Sequence, residues 1–148
     1  MTTTKARQDV ARTSAAVWVL CIINAGLLVT SGLIHLHLWD IAYRHIATIG
    51  PLFFVQGVAA FVVAVGTAVA RRVWTALIGA GTMIATVAGF LISVNYGLFG
   101  FQDSFVAHDA VGALVIEIAS AVLFLAAVAF SISSRAARSA PAAEPARV

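Results

Sequence analysis

The chain has 148 residues, of which 61% are hydrophobic and 10% are charged, and its mean hydropathy is +1.01. Because charged residues make up roughly 25% of a soluble domain, this composition excludes a soluble globular protein and indicates an integral membrane protein. The formal net charge of +3 comes from Lys and Arg residues that lie between or outside the apolar segments. Such residues direct membrane topology, so we expect the lipid bilayer as a partner and no nucleic acid.

Four apolar segments are long enough to cross a bilayer, whose hydrocarbon core of roughly 30 Å needs about 20 helical residues. These predicted spans cover residues 15–38, 51–70, 73–98 and 108–131. Residues 1–14 form a polar N-terminal tail, and residues 132–148 form a C-terminal tail that we expect to be disordered because it has few large apolar residues. The predicted fold class is all-α, an integral membrane four-helix bundle that occupies residues 15–131.

The distribution of basic residues predicts the orientation of the bundle. Eight of the nine Lys and Arg residues lie in the two tails and at Arg71 and Arg72, and Arg44 is the ninth. Positively charged connections stay on the cytoplasmic side of a membrane. We therefore expect both termini to be cytoplasmic and the protein to be a multi-pass protein of the cytoplasmic membrane.

Small residues recur four apart along the predicted spans, and the longest such stripe is on the third span: Gly81, Ala85, Gly89, Ser93 and Gly97. Small residues on one helix face allow close packing of backbones in a membrane. The stripe predicts a tight bundle, and it is also compatible with a homo-oligomer or a larger membrane complex.

Polar side chains inside the spans predict a pocket, because such groups are unfavourable in lipid and face the interior of a bundle. Gln56, Asn95 and Tyr96 lie in the outer parts of their spans, and Glu117 lies about 13 Å deeper than His108. We predict an outward-facing polar pocket formed by Gln56, Asn95 and Tyr96 with Glu117 at its floor. We expect Glu117 to be neutral and hydrogen-bonded, because no Lys or Arg lies in the same layer.

Histidines near the outer boundary suggest a cofactor or metal site. His35, His37 and Asp40 in the sequence IHLHLWD carry ligand types that suit zinc, copper or iron, and His108 begins the fourth span. On a helix His35 and His37 are about 200° apart, so either would have to pair with His108 to share an ion. Haem with His35 and His108 as axial ligands and a quinone held by a histidine with Asp40 or Tyr43 are further alternatives.

A structural role for part of this segment is the competing interpretation. On a helix His37, Asp40 and Arg44 share one face at spacings of three and four residues, which favours an interfacial salt bridge. No nucleophile–base pair, phosphate loop or metal motif indicates an enzyme. We therefore expect a non-catalytic accessory or binding component without a resident cofactor. The alternatives are a redox-ligand protein that uses haem, quinone or metal, and a proton-coupled small transporter that uses Glu117.

Two segments carry a resemblance to a known group of proteins. The first is IHLHLW followed by YRHIATIGPLFFVQ, which includes His35, Gly50, Pro51 and Gln56, and the second is GLFGFQ followed by Glu117. They resemble a family of small four-span membrane proteins of high-GC actinobacteria that has no assigned activity. The resemblance covers about residues 26–125. It implies the four-helix bundle and its topology, and it implies no reaction.

The predicted orientation can be tested by cysteine labelling in intact cells that carry a Cys21→Ser background. Ala47→Cys and Ser104→Cys should react with an impermeant thiol reagent, and Ser139→Cys should react only after the cells are opened, because basic residues bias insertion. Labelling of intact cells at Ser139→Cys alone would show that the orientation is reversed.

Overall fold

A computed structural model describes residues 2–70, 72–107 and 109–139 of the chain. The described residues form four α-helices and contain no strand: α1 (Thr2–Leu38), α2 (Ile49–Ala70), α3 (Val73–Tyr96) and α4 (Ala110–Ser139). A five-residue π-helical turn, Trp39–Tyr43, follows α1. All four helices contain a segment long and apolar enough to cross a membrane, which confirms the predicted all-α class and the number of candidate spans.

Where the structure describes the two predicted tails, it shows them as helix. The polar residues 2–14 continue α1, and α4 continues past residue 131 to Ser139. Residues 132–139, which the sequence predicts to be disordered, are helical in the structure, while residues 140–148 lie outside the described part of the chain. Residues 132–139 contain neither Gly nor Pro, so a helix already formed in the span can propagate through them.

The helices are arranged in a ring, in which α1 packs on α2 and α4, and α3 packs on α2 and α4. The chain runs up and down, so the connections after α1 and after α3 lie at one end, which we call the Arg44 end. The short connection after α2 lies at the other end, the Arg72 end. The α1–α2 and α3–α4 pairs have the most extensive contacts, so the bundle consists of two helical hairpins.

Close approach within each hairpin depends on glycine. A Cβ atom on Gly57 would lie 2.6 Å from Cγ of Leu36 on α1, and a Cβ atom on Gly79 would lie 2.6 Å from Cε2 of Phe124 on α4. Phe124 is only 1% exposed and belongs to the buried apolar core, so displacing its ring would disturb the packing around it. Each glycine therefore allows a large apolar side chain of the neighbouring helix to rest on its backbone.

The predicted small-residue stripe on α3 does not carry this packing. A Cβ atom on Gly81 or Gly89 would meet nothing within 4 Å. The buried face of α3 instead includes Gly79, Ala80 and Met83. Several small-residue stripes run along α3, and spacing alone does not show which of them faces α4.

Gly79→Ala should destabilise the protein, and Gly81→Ala on the same helix provides the control. The added methyl group at residue 79 overlaps the buried ring of Phe124, so we expect a loss of about 1–3 kcal/mol in the free energy of unfolding. The methyl group at residue 81 enters open space and should leave stability unchanged or raise it by up to about 1 kcal/mol. Reversible unfolding in detergent measures both changes. Equal stability of the two variants would contradict the α3–α4 packing.

Candidate functional site

A cavity of about 280 Å³ lies among the helices toward the Arg44 end. Its walls are mostly apolar and include Val55 on α2, Gly89 and Phe90 on α3, and Leu114 on α4. Polar groups occur at two levels, one deep between α1 and α4 and one near the loops. A largely apolar chamber with a few convergent polar groups is the usual form of a small-molecule site.

Glu117 is the central polar group of the deep level. Its carboxyl group is 2% exposed and lies roughly 10 Å along the axis from the first residue of α4. The hydroxyl group of Ser31 on α1, which is fully buried, donates a hydrogen bond of 3.1 Å to Glu117 Oε1. This contact joins the two hairpins across the α1–α4 seam.

His35 lies one helical turn beyond Ser31 and faces the same carboxyl group. Its Nδ1 is 2.9 Å from the Ser31 carbonyl oxygen, which can only accept, so Nδ1 carries the hydrogen. In the neutral ring Nε2 then holds a lone pair, and it lies 3.7 Å from Glu117 Oε1. This distance is longer than a hydrogen bond, so the two groups face each other with room for a small shift or a ligand atom.

One proton can therefore occupy either side of this pair. A neutral Glu117 can direct its hydroxyl hydrogen toward Nε2 of His35. Transfer of that proton would produce an imidazolium and a carboxylate without changing the net charge of the pair. Neither Lys nor Arg is among the described residues that line the cavity, so these two groups balance each other.

Gln56 on α2 is the third polar side chain deep in the cavity. Its amide Nε2 is buried and has no hydrogen-bond partner among the described residues. An unpaired buried donor is unfavourable by about 1–3 kcal/mol, which a ligand acceptor atom would relieve.

The connections at the Arg44 end complete the upper level of the cavity. Tyr43, the last residue of the π-helical turn, is buried, and its hydroxyl group lies 3.3 Å from each carboxylate oxygen of Asp103 in the α3–α4 connection. The Tyr43 ring also stacks on Phe53, with ring centroids 4.1 Å apart. The backbone N–H of Asp103 donates to the hydroxyl oxygen of Ser93. Both loops are thus tied to each other and to the helices above the cavity.

The structure supports two members of the predicted polar pocket. Gln56 and Glu117 line the cavity, but Asn95 and Tyr96 are absent from its described lining. Asn95 is exposed and donates to the Leu91 carbonyl oxygen, and Tyr96 is 87% exposed. Asn95 and Tyr96 lie beyond Ser93 on faces of α3 that point away from the bundle. The depth of a residue along a helix does not specify how the helix is rotated about its axis, so depth alone could not predict this.

The predicted metal and haem ligands are mostly separated. His35 faces the cavity, whereas His37 and Asp40 are exposed, and Asp40 pairs with Arg44 at 3.1 Å. The predicted Asp40–Arg44 salt bridge is therefore present. His108 lies outside the described residues, so its pairing with His35 or His37 stays a prediction. Within the described part of the chain, no three His, Cys, Asp or Glu side chains converge as metal ligands.

Sequence reasoning missed the role of Ser31 and Asp103. The sequence contains a periodic signal for Ser31. The polar residues Asn24, Ser31 and His35 follow one another at spacings of seven and four residues, which places them on one face of α1. A matching stripe on α4 contains Glu117 and Ser120, and the Ser120 hydroxyl group lies 3.4 Å from Asn24 Oδ1. Asp103 lies in an irregular connection, so no periodic pattern could place its side chain.

Comparisons of the chain with protein-family profiles, curated proteins and solved structures gave no match.

Two substitutions of Glu117 should separate the contribution of its hydrogen bond from that of its acidity. Glu117→Gln keeps an acceptor for the Ser31 hydroxyl group and should leave the free energy of unfolding nearly unchanged. Glu117→Leu removes that acceptor in a buried seam and should lower stability by about 1–3 kcal/mol. In the double variant with Ser31→Ala the two effects should be non-additive, as expected for side chains in contact. Wild-type stability of Glu117→Leu would rule out this seam contact.

Proposed function

We propose that the protein is a four-span protein of the cytoplasmic membrane that binds a small, mostly apolar molecule in the cavity at the Arg44 end. The candidate spans and the partition of basic residues support insertion with both termini in the cytoplasm. In that orientation the Arg44 end faces outward, and the cavity is reached from the outer half of the membrane. The cavity itself is the observation that carries the proposal.

The size and chemistry of the cavity support a small ligand. An apolar cavity of about 150 Å³ is enough to bind benzene, and this cavity is about 280 Å³. Apolar walls would provide most of the binding free energy, while Glu117, His35 and Gln56 would orient one polar group of the ligand.

Proton coupling is a second candidate function for the same site, and one specific contact favours it. His35 Nε2 and Glu117 Oε1 lie 3.7 Å apart, so a proton held by one of the two groups could transfer to the other after a small shift. A ligand that displaced this proton would couple its own binding to proton release. The binding role does not require such coupling.

Gly89→Leu should block the cavity, and Gly81→Leu provides a matched control two turns away on α3. Both glycines have open space at the Cβ position, but only Gly89 is part of the cavity lining. We expect Gly89→Leu to reduce binding of small aromatic probes such as toluene at least about tenfold, because the side chain occupies the ligand volume. Gly81→Leu should bind them like the wild type.

The measurement is saturation-transfer NMR on protein in lipid nanodiscs, with empty nanodiscs to subtract partition into lipid. Retained folding of both variants is checked by circular dichroism. Unchanged probe binding in Gly89→Leu would contradict the proposed cavity function.

A further inference from the structure

The described polar lining of the cavity is acidic. It contains two carboxyl groups, Glu117 at depth and Asp103 near the loops, and one imidazole, His35. Arg44 at the same end is exposed and directs its guanidinium to Asp40 and His45. If both carboxyl groups are ionised, a protonated His35 balances only one of them. The titratable lining then carries a net negative charge, which is unfavourable for an anionic ligand.

We propose that the ligand is a small monocation with an apolar body, such as a lipophilic amine or a quaternary ammonium compound that also carries an acceptor atom for the Gln56 amide. This inference rests on the proposed binding function and names the chemical class that the cavity selects. A buried ionised Glu117 lacks a Lys or Arg counter-ion in the described lining, and a cationic ligand would provide one. The ligand thus stabilises the charge of the carboxylate, and the carboxylate stabilises the charge of the ligand.

Aromatic rings in the cavity wall favour the same class. Phe53 lies beside His35 with ring centroids 5.2 Å apart, Tyr43 stacks on Phe53, and Phe90 lies on the α3 side. The faces of such rings attract ammonium groups and also accept apolar groups. Asp103 near the loops would attract a cation to the entrance before it reaches Glu117.

A pair of ligands with nearly the same shape tests the charge directly. Benzyltrimethylammonium carries one positive charge, and neopentylbenzene replaces its nitrogen by carbon. Both are titrated against the full-length protein in lipid nanodiscs, with empty nanodiscs and Gly89→Leu to define cavity binding. We expect the cation to bind more tightly than neopentylbenzene to the wild-type protein. Gly89→Leu should abolish this difference, because its side chain fills the cavity.

Carboxylate variants locate the source of the selectivity. Glu117→Gln should weaken binding of the cation roughly 30-fold or more, as expected for removal of one partner of a desolvated charge pair. The ratio of the cation's affinity to that of neopentylbenzene should fall by a similar factor, because neopentylbenzene carries no charge. Asp103→Asn should weaken binding of the cation several-fold. This variant provides an independent test if Glu117→Gln fails to fold. Asp40→Asn is the control, because that carboxylate is exposed at the same end and lies outside the described lining.

The outcomes separate the two proposals. Equal cavity binding of both probes, or cation binding that neither Glu117→Gln nor Asp103→Asn reduces, would overturn the cation assignment and leave the binding function intact. Tighter binding of the anion 3-phenylpropanesulfonate than of the cation would also overturn the assignment. If no probe shows binding that depends on Gly89, the proposed binding function fails, and the cation assignment fails with it.

Discussion

The buried hydrogen bond between Ser31 and Glu117 is the contact on which the rest of this structure depends. Apolar side chains gain little by leaving lipid for one another, so packing and polar contacts must decide how membrane helices associate. Within each hairpin, glycines allow that packing. Between the hairpins, α1 meets α4 through the hydrogen bonds of Ser31 with Glu117 and of Ser120 with Asn24, beside a buried apolar cluster that includes Leu28 and Phe124. These polar contacts therefore contribute to the choice of the helix faces at which the hairpins meet.

The cavity follows from the same arrangement. The seam draws α1 and α4 together, while α2 and α3 contact each other less extensively. Space remains between them toward the Arg44 end, where α3 presents Gly89 and α2 presents Gln56. Glu117 thus contributes to the contact between α1 and α4 and also lines the cavity.

The two connections at the Arg44 end contribute residues to the cavity lining. The π-helical turn leaves Tyr43 facing inward while Asp40 and Arg44 stay exposed. A π-helical turn is often found at functional sites, because one extra residue in a turn changes which side chains share a face. Here the inward Tyr43 contacts Phe53 and Asp103, so the loops form an ordered upper wall of the cavity.

The amino-acid sequence by itself determined the all-α class, the four apolar helices, and the candidate status of Glu117 and Gln56. These properties depend on composition, on the length of apolar runs and on depth along a helix, all of which are local. Tertiary structure decided which faces meet, because helix rotation depends on packing between distant segments. Asn95 and Tyr96 were therefore assigned to a pocket they do not line, and the stripe at Gly81 and Gly89 was assigned to helix packing. Ser31 and Asp103 acquire their roles only through contacts with residues far away in the chain.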